Sequence, residues 1–294
     1  MPLLISRRST LIGAAVILAG SRAQAKSPAA DPTVFTERLA VLEARAGGRL
    51  GVAVLDSGSG ERLAYRGDER FPMCSTFKFL AAAAILARVD SGKDRLDRQM
   101  PYGQSDLLEY APVAKEHVVE GSMTLEALCA AAVEMSDNTA ANLLLQVIGG
   151  PADLTAFCRS LGDERTRLDR IEPFLNEALP GDERDTTTPA ATLACMGRLL
   201  LGDVLTPASR AFLERWMINA KPGPKRLPAS VPAGAHIGHK TGTGERGTSN
   251  DIAIVWPAER KPVLIAAYLT GSPGKPDARD AVIAEAGRIV FESL

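Results

Sequence analysis

The hydrophobic pattern changes period along the chain, and the changes divide it. Leu50 to Asp56 alternates apolar and small residues, Ser57-Gly58-Ser59-Gly60 supplies a turn, and Glu61 to Tyr65 runs back, which predicts a β-hairpin. After Pro72 the period becomes helical: Phe77, Leu80, Ala81, Ala84, Ile85 and Val89 fall on one face, ending near Ser91-Gly92. Further helices are predicted over Thr124–Met135, Thr139–Val147 (stopped by Gly149-Gly150), Ala152–Leu161, Pro189–Leu201 and Pro207–Ala220. Strand character returns at Ala235–Thr243, Ser249–Trp256 and Val263–Thr270, and a last helix is predicted over Ala278–Ser293. Strands at both ends with helices between them place the two ends in one sheet. The expected class is α/β (α+β): a five-stranded antiparallel sheet flanked by helices, with an all-helical domain inserted. The division expected is 26–66 with 218–294 for the sheet domain and 67–217 for the helical one, leaving a seam between them.

The first residues follow a different pattern. Ser6-Arg7-Arg8-Ser9-Thr10 precedes an apolar run from Leu11 to Gly20, and Ala23-Gln24-Ala25 has the small-x-small form of a cleavage site. A charged start, a short apolar run and that ending read as an export signal over residues 1–25, too short for a spanning helix. The paired arginines fit the twin-arginine route, with an ordinary Sec signal as the alternative. Either places the mature chain in the periplasm or outside the cell. Cleavage would remove three arginines and no acid, leaving 31 basic against 35 acidic residues, net −4. With basic residues scattered, nothing points to nucleic acid as a partner, and no membrane contact is expected once the signal is gone. The mature chain is expected to be a monomer. Export permits disulfides, yet Cys74, Cys129, Cys158 and Cys195 all lie in apolar segments without metal-ligand spacing, so buried free thiols are expected.

Four short stretches carry candidate chemistry: Ser75-Thr76-Phe77-Lys78, Ser136-Asp137-Asn138, Glu172-Pro173-Phe174-Leu175-Asn176 and Lys240-Thr241-Gly242. Ser75 opens the helix from Thr76, where the ordinary use of a serine is to cap the helix N-terminus. The same place presents free amides and partial positive charge to a developing oxyanion. Lys78, three residues on, shares its face, and an amine kept from water there can accept a hydroxyl proton. Ser136 and Asn138 bound a break between two helices, where capping is again the plain reading. Glu172 lies in a stretch, Leu168 to Asp185, with no clean periodicity, as expected of a functional Ω-loop. Lys240, Thr241 and Thr243 are expected to line one strand and face the same way. A Ser-His-Asp triad is the competing scheme, but none of His117, His236 and His239 has the setting it needs, and His239 is expected to point away from the face of Lys240.

Taken singly, Ser-x-x-Lys and Lys-Thr-Gly are weak signals. All four in this order, at these spacings, resemble a class A serine β-lactamase from about Phe35 to the last helix. The resemblance implies that fold, with the site in the seam, and no cofactor or metal. It implies Ser75 as nucleophile, Lys78 or Glu172 as its base, and Ser136 as proton donor to the departing nitrogen. Glu172 and Asn176 would hold the hydrolytic water. The amides of Ser75 and Thr243 would form the oxyanion hole. Asn138 would bind the substrate's side-chain amide, Lys240 and Thr241 its carboxylate, and Tyr110 would wall the cleft mouth. Asp137 would be buried, bracing its loop. Arg170 and Asp185 would pair across the loop's neck, and the Glu172–Pro173 bond would be cis. Arg226 would supply the guanidinium that many relatives carry where this chain has Ser249. Two disulfides of some relatives cannot form, because Ala82 and Gly244 stand where the partners of Cys129 and Cys74 would be. The implied substrates are small-molecule β-lactams, penicillins and, from Cys74 and Thr243, cephalosporins, with resistance to these drugs as the result.

Two rivals share part of the set. A penicillin-binding D,D-peptidase would acylate but lacks the glutamate loop, so Glu172 with Asn176 weighs against it. A non-hydrolysing β-lactam sensor would carry membrane helices, and no run of spanning length follows the export signal.

Overall fold

A computed structural model describes residues 31–294; the export signal expected over 1–25 lies outside the described residues. Asp31 caps the first helix, α1 (Pro32–Ala46), by accepting from the Thr33 amide, and Pro32 starts it without wasting a donor. The hairpin follows as β1 (Arg49–Asp56) and β2 (Arg62–Tyr65), then a two-residue strand β3 (Phe71–Pro72). A 3₁₀ turn, Cys74–Thr76, leads into α2 (Phe77–Asp90), in which every residue from Phe77 to Leu86 is buried. A helix apolar on all sides belongs at the centre of a core, and four consecutive alanines, Ala81–Ala84, let its neighbours approach closely.

Next come β4 (Gln99–Pro101), β5 (Ser122–Thr124), α3 (Leu125–Glu134), α4 (Asn138–Ile148) and α5 (Pro151–Ser160). After the Ω-loop, β6 (Thr186–Thr187), α6 (Pro189–Met196), a π turn over Gly197–Leu201 and α7 (Pro207–Ile218) return the chain to the sheet. The sheet closes with β7 (His236–Gly244), β8 (Thr248–Trp256) and β9 (Val263–Thr270), and α8 (Pro276–Glu292) ends the chain.

The five-stranded antiparallel sheet is present as expected, and its strand order is β2-β1-β9-β8-β7. Its outer face packs under α1 and α8 through Phe35, Leu39, Leu50, Ile265 and Val290. Its inner face, through Ala53, Ile252, Ile254 and Tyr268, joins the apolar cluster built around α2. Three details depart from expectation. The inserted region is not all helical: β4 pairs with β5, and β3 with β6. The helix from Pro189 keeps α geometry only to Met196, and its last turn widens. The helix predicted from Thr76 is preceded by a separate 3₁₀ turn that carries Ser75.

Candidate active site

Ser75 sits in that turn immediately before α2, with Cys74 ahead of it at φ 46°. The expected capping hydroxyl is absent: Ser75 makes no side-chain cap, and its Oγ instead donates to Glu172 Oε1 at 3.3 Å. The hydroxyl is therefore left to the cleft. One helical turn on, Lys78 Nζ is wholly buried, 3.0 Å from the same Glu172 oxygen. It also donates to the Ser136 carbonyl at 2.8 Å and to Asn138 Oδ1 at 2.6 Å. Burial holds the Lys78 ammonium below the ordinary lysine range, and the Glu172 carboxylate opposes that shift without cancelling it.

Ser136 and Asn138 come from the break between α3 and α4. Ser136 takes a left-handed backbone, φ 59°, and turns its hydroxyl to Lys240 Nζ at 3.0 Å. Asp137 is fully buried: Oδ1 accepts from the Ala140 amide and caps α4, and Oδ2 accepts from the amides of Val113 and Ala114. One carboxylate thus fixes both the helix and the loop in front of it. That loop carries Tyr110, half exposed, whose hydroxyl donates to the Met135 carbonyl at 3.2 Å.

Glu172 is 1 % exposed, and the Glu172–Pro173 bond is cis. Its second oxygen, Oε2, accepts from Asn176 Nδ2 at 2.5 Å. Asn176 Oδ1 is buried with no protein partner, an acceptor aimed where a water or substrate group can donate to it. At the neck, Arg170 Nε lies 2.6 Å from Asp185 Oδ2, while Asp185 Oδ1 accepts from the amides of Asp169 and Arg170. Sequence reasoning missed Asn142, on α4. Its side chain accepts from the Glu172 amide and donates to the Glu172 carbonyl, both at 3.0 Å, clamping the main chain of that residue. Nothing local signals this, because a single asparagine inside a helix reads as a surface position.

Strand β7 forms the opposite wall. The expectation that Lys240, Thr241 and Thr243 face the same way is wrong for Lys240. Successive side chains of a strand alternate, so Lys240 and Thr241 must diverge. Lys240 turns toward Ser136, whereas the Thr243 hydroxyl accepts from Arg226 Nη2 at 2.8 Å on the other face. His239 shares that second face. It is buried with Nδ1 3.0 Å from Asp251 Oδ1, a structural pair. Lys240 is buried as well, and burial, reinforced by the nearby Lys78 charge, lowers its pKa well below the usual lysine value. Gly242 is required by proximity: a Cβ there would lie 2.6 Å from the Met73 carbonyl oxygen, so the strand passes hard against the nucleophile turn.

Arg226 reaches the residue beside Ser249, whereas the Ser249 hydroxyl itself accepts from Arg279 Nε at 3.3 Å. Arg226 Nε donates to Asp280 Oδ1 at 2.7 Å, and Nη1 to the carbonyls of Gly242 at 2.9 Å and Asn250 at 2.8 Å. Its guanidinium clamps β7 to β8 from below. The four cysteines are buried free thiols. The described residues contain no cluster of metal ligands, and no helix among them is long and apolar enough to cross a membrane.

The structure thus gathers Ser75, Lys78, Ser136, Asn138, Glu172, Asn176 and Lys240 around one cleft between α2, the Ω-loop and β7. Residues 34–294 match the model of the Beta-lactamase enzyme family. A β-lactamase from Citrobacter koseri is 44 % identical over 264 residues, 90 % of this chain and 90 % of that protein. The Escherichia coli β-lactamase Toho-1 is 46 % identical over 254 residues, covering 86 % of this chain and 87 % of its own. Among solved structures, a class A β-lactamase described as the last common ancestor of Gram-negative bacteria is 62 % identical with a TM-score of 0.87, over 88 % of this chain and 98 % of that one. A putative class A β-lactamase, PenP from Rhodopseudomonas palustris, is 54 % identical with a TM-score of 0.87, over 89 % of this chain and all of its own. This chain belongs to the β-lactamase enzyme family and, within it, to class A.

Proposed function

We propose that the protein hydrolyses penicillins and cephalosporins by way of an ester on Ser75, and that Glu172 directs the water that releases it. In the first half, Ser75 Oγ attacks the lactam carbonyl while its proton is taken by Lys78 or, through water, by Glu172. Glu172 Oε1 lies 3.3 Å from the hydroxyl and 3.0 Å from Lys78 Nζ, so one carboxylate oxygen joins the nucleophile to the amine. The amides of Ser75 and Thr243 receive the oxyanion. The C–N bond breaks, and Ser136, bonded to Lys240, gives the nitrogen its proton. The proton taken from Ser75 passes through Lys78, 3.5 Å from the Ser136 hydroxyl, to replace it, which leaves Glu172 ionised. In the second half, Glu172 takes a proton from water, the water attacks the ester carbonyl, and Ser75 leaves with a proton restored to it. Lys240 and Thr241 hold the substrate carboxylate, Asn138 the side-chain amide and Tyr110 one side of the ring. Arg226 supports this wall from beneath through Thr243 and the Gly242 carbonyl.

One observation carries the reading: a single buried carboxylate spans the nucleophile and an asparagine whose own buried acceptor is unpartnered. The carboxylate can therefore serve both halves of the reaction. A D,D-peptidase needs no such group beside its serine, and a sensor that stays acylated would be harmed by one. The division into 26–66 with 218–294 and 67–217 puts the cleft at the joint, where each domain supplies one wall. The export pattern over residues 1–25 supports action outside the cytoplasm, and a single chain carries the whole set of groups this reaction uses.

The test is Glu172→Gln. With a good penicillin the variant should accumulate a stable adduct, seen by mass spectrometry as an increase equal to the drug. Its turnover should fall about a hundred- to ten-thousandfold, the usual contribution of a general base. Ordinary turnover by this variant would overturn the assigned role.

A further inference from the structure

The Ω-loop is anchored unevenly. Its first half is held by Asn142, and Arg170 closes the neck on Asp185 and holds the Glu177 side chain through Oε2 at 2.7 Å. Behind its second half, Ala178 to Glu183, lies a cavity of about 480 Å³, closed on the far side by Arg49, Arg70, Pro72 and the end of β9. Packing behind that stretch is thin, with Ala178 its one buried residue, so polar links help to fix the loop.

Two such links come from the turn between β7 and β8, which sequence reasoning assigned no role. The Glu245 amide donates to the Asn176 carbonyl at 2.9 Å, and the guanidinium of Arg246 (Nη1) donates to the next carbonyl, that of Glu177. Arg246 is itself fixed: it adopts φ 50°, its carbonyl accepts from the Gly271 amide at 2.9 Å, and Nη1 also reaches Glu245 Oε2 at 3.0 Å. The turn is thus a strut from the end of β9 to the two residues that follow the water-holding side of Glu172.

We propose that Arg246 is a positioning residue for the deacylation step, acting through the main chain of Glu177 and Asn176. The inference rests on the role assigned above to Glu172 and Asn176. The two oxygens of Glu172 have separate supports. Oε1 is held by Lys78 on the packed helix, while Oε2 is held by Asn176, which is anchored by the Pro173 carbonyl within the loop and by the strut from outside it. Loosening the strut disturbs the second oxygen and leaves the first in place, so ester hydrolysis suffers while ester formation does not.

Arg246→Ala and Arg246→Lys, in the full mature chain, test this by rapid-quench mass spectrometry with a penicillin, which reads acylation and deacylation separately. For Arg246→Ala the deacylation constant should fall about three- to tenfold, the effect of losing one charge-assisted hydrogen bond at a partly exposed site. Acylation should stay within twofold of the parent. Lysine keeps a cationic donor on a shorter reach, so Arg246→Lys should fall between alanine and parent. Unchanged deacylation, an equal fall in both constants, or a lysine variant no better than alanine would overturn the proposal. Failure of Glu172→Gln to trap the adduct would instead overturn the reading of the site, whatever Arg246 does.

Discussion

The nucleophile and the base that serves it are held by opposite physical means. Ser75 and Lys78 belong to a turn and helix whose residues from Cys74 to Leu86 are all buried, so shape complementarity in the core fixes them. Glu172 sits equally deep, but its loop is irregular and depends on particular hydrogen bonds and ion pairs: Asn142, Asn176, Arg170 with Asp185, and the strut from β7–β8. Packing spreads a perturbation over many weak contacts. A loop tied at a few points transmits it whole. The acylating half should therefore tolerate loss of stability with little change in chemistry, while the deacylating half should lose chemistry to changes that cost modest stability.

The sharpest way to fix the first half of that contrast is Ser75→Ala. Hydrolysis should drop by at least about a thousandfold, with the thermal midpoint within a few degrees of the parent, since the serine caps nothing. Asp185→Asn attacks the other half. It weakens the pairing of Arg170 and should lower deacylation about ten- to a hundredfold, because small misplacements of a reacting group are costly. Acylation should stay within about threefold, and an equal loss in both steps would erase the distinction. Leu86→Ala, in the middle of α2, should remove about 2–5 kcal/mol of stability and lower the melting temperature. Per folded molecule, both rate constants should remain near the parent values. The smallest expected effect concerns the core that holds the first half. Burial pushes the Cys74, Cys129 and Cys195 thiols far up and that of Cys158 up to about 12, so the native protein should resist iodoacetamide at pH 8. All four should react once urea unfolds it. Labelling of the native form would mean that the packed half opens readily.

What the sequence disclosed follows the same division. Periodicity located the strands and helices because burial on one face leaves a repeating mark, and the α2 pattern from Phe77 to Val89 needed no outside information. The four motifs were legible through resemblance, and the cleft gathers their side chains. Hidden were contacts between residues distant in the chain, such as Asn142 with Glu172, Arg226 with Asp280 and Arg246 with Glu177. Each is a polar side chain meeting a partner that no local period announces. The wrong facing assigned to Lys240 had a different origin. Thr241 adjoins it, and a pleated strand sends neighbours to opposite sides whatever their shared role.

The hydroxyl of Ser136 lies between two buried amines, Lys240 Nζ at 3.0 Å and Lys78 Nζ at 3.5 Å, and burial together with the Lys78 charge makes the ammonium form of Lys240 dearer. A docking anion opposes that effect at Lys240 and favours its ammonium form, so the complex should hold that proton to higher pH than the free protein does. Occupancy of the cleft is then coupled to acidity: association weakens as the medium turns alkaline, which calorimetry across a pH series would register.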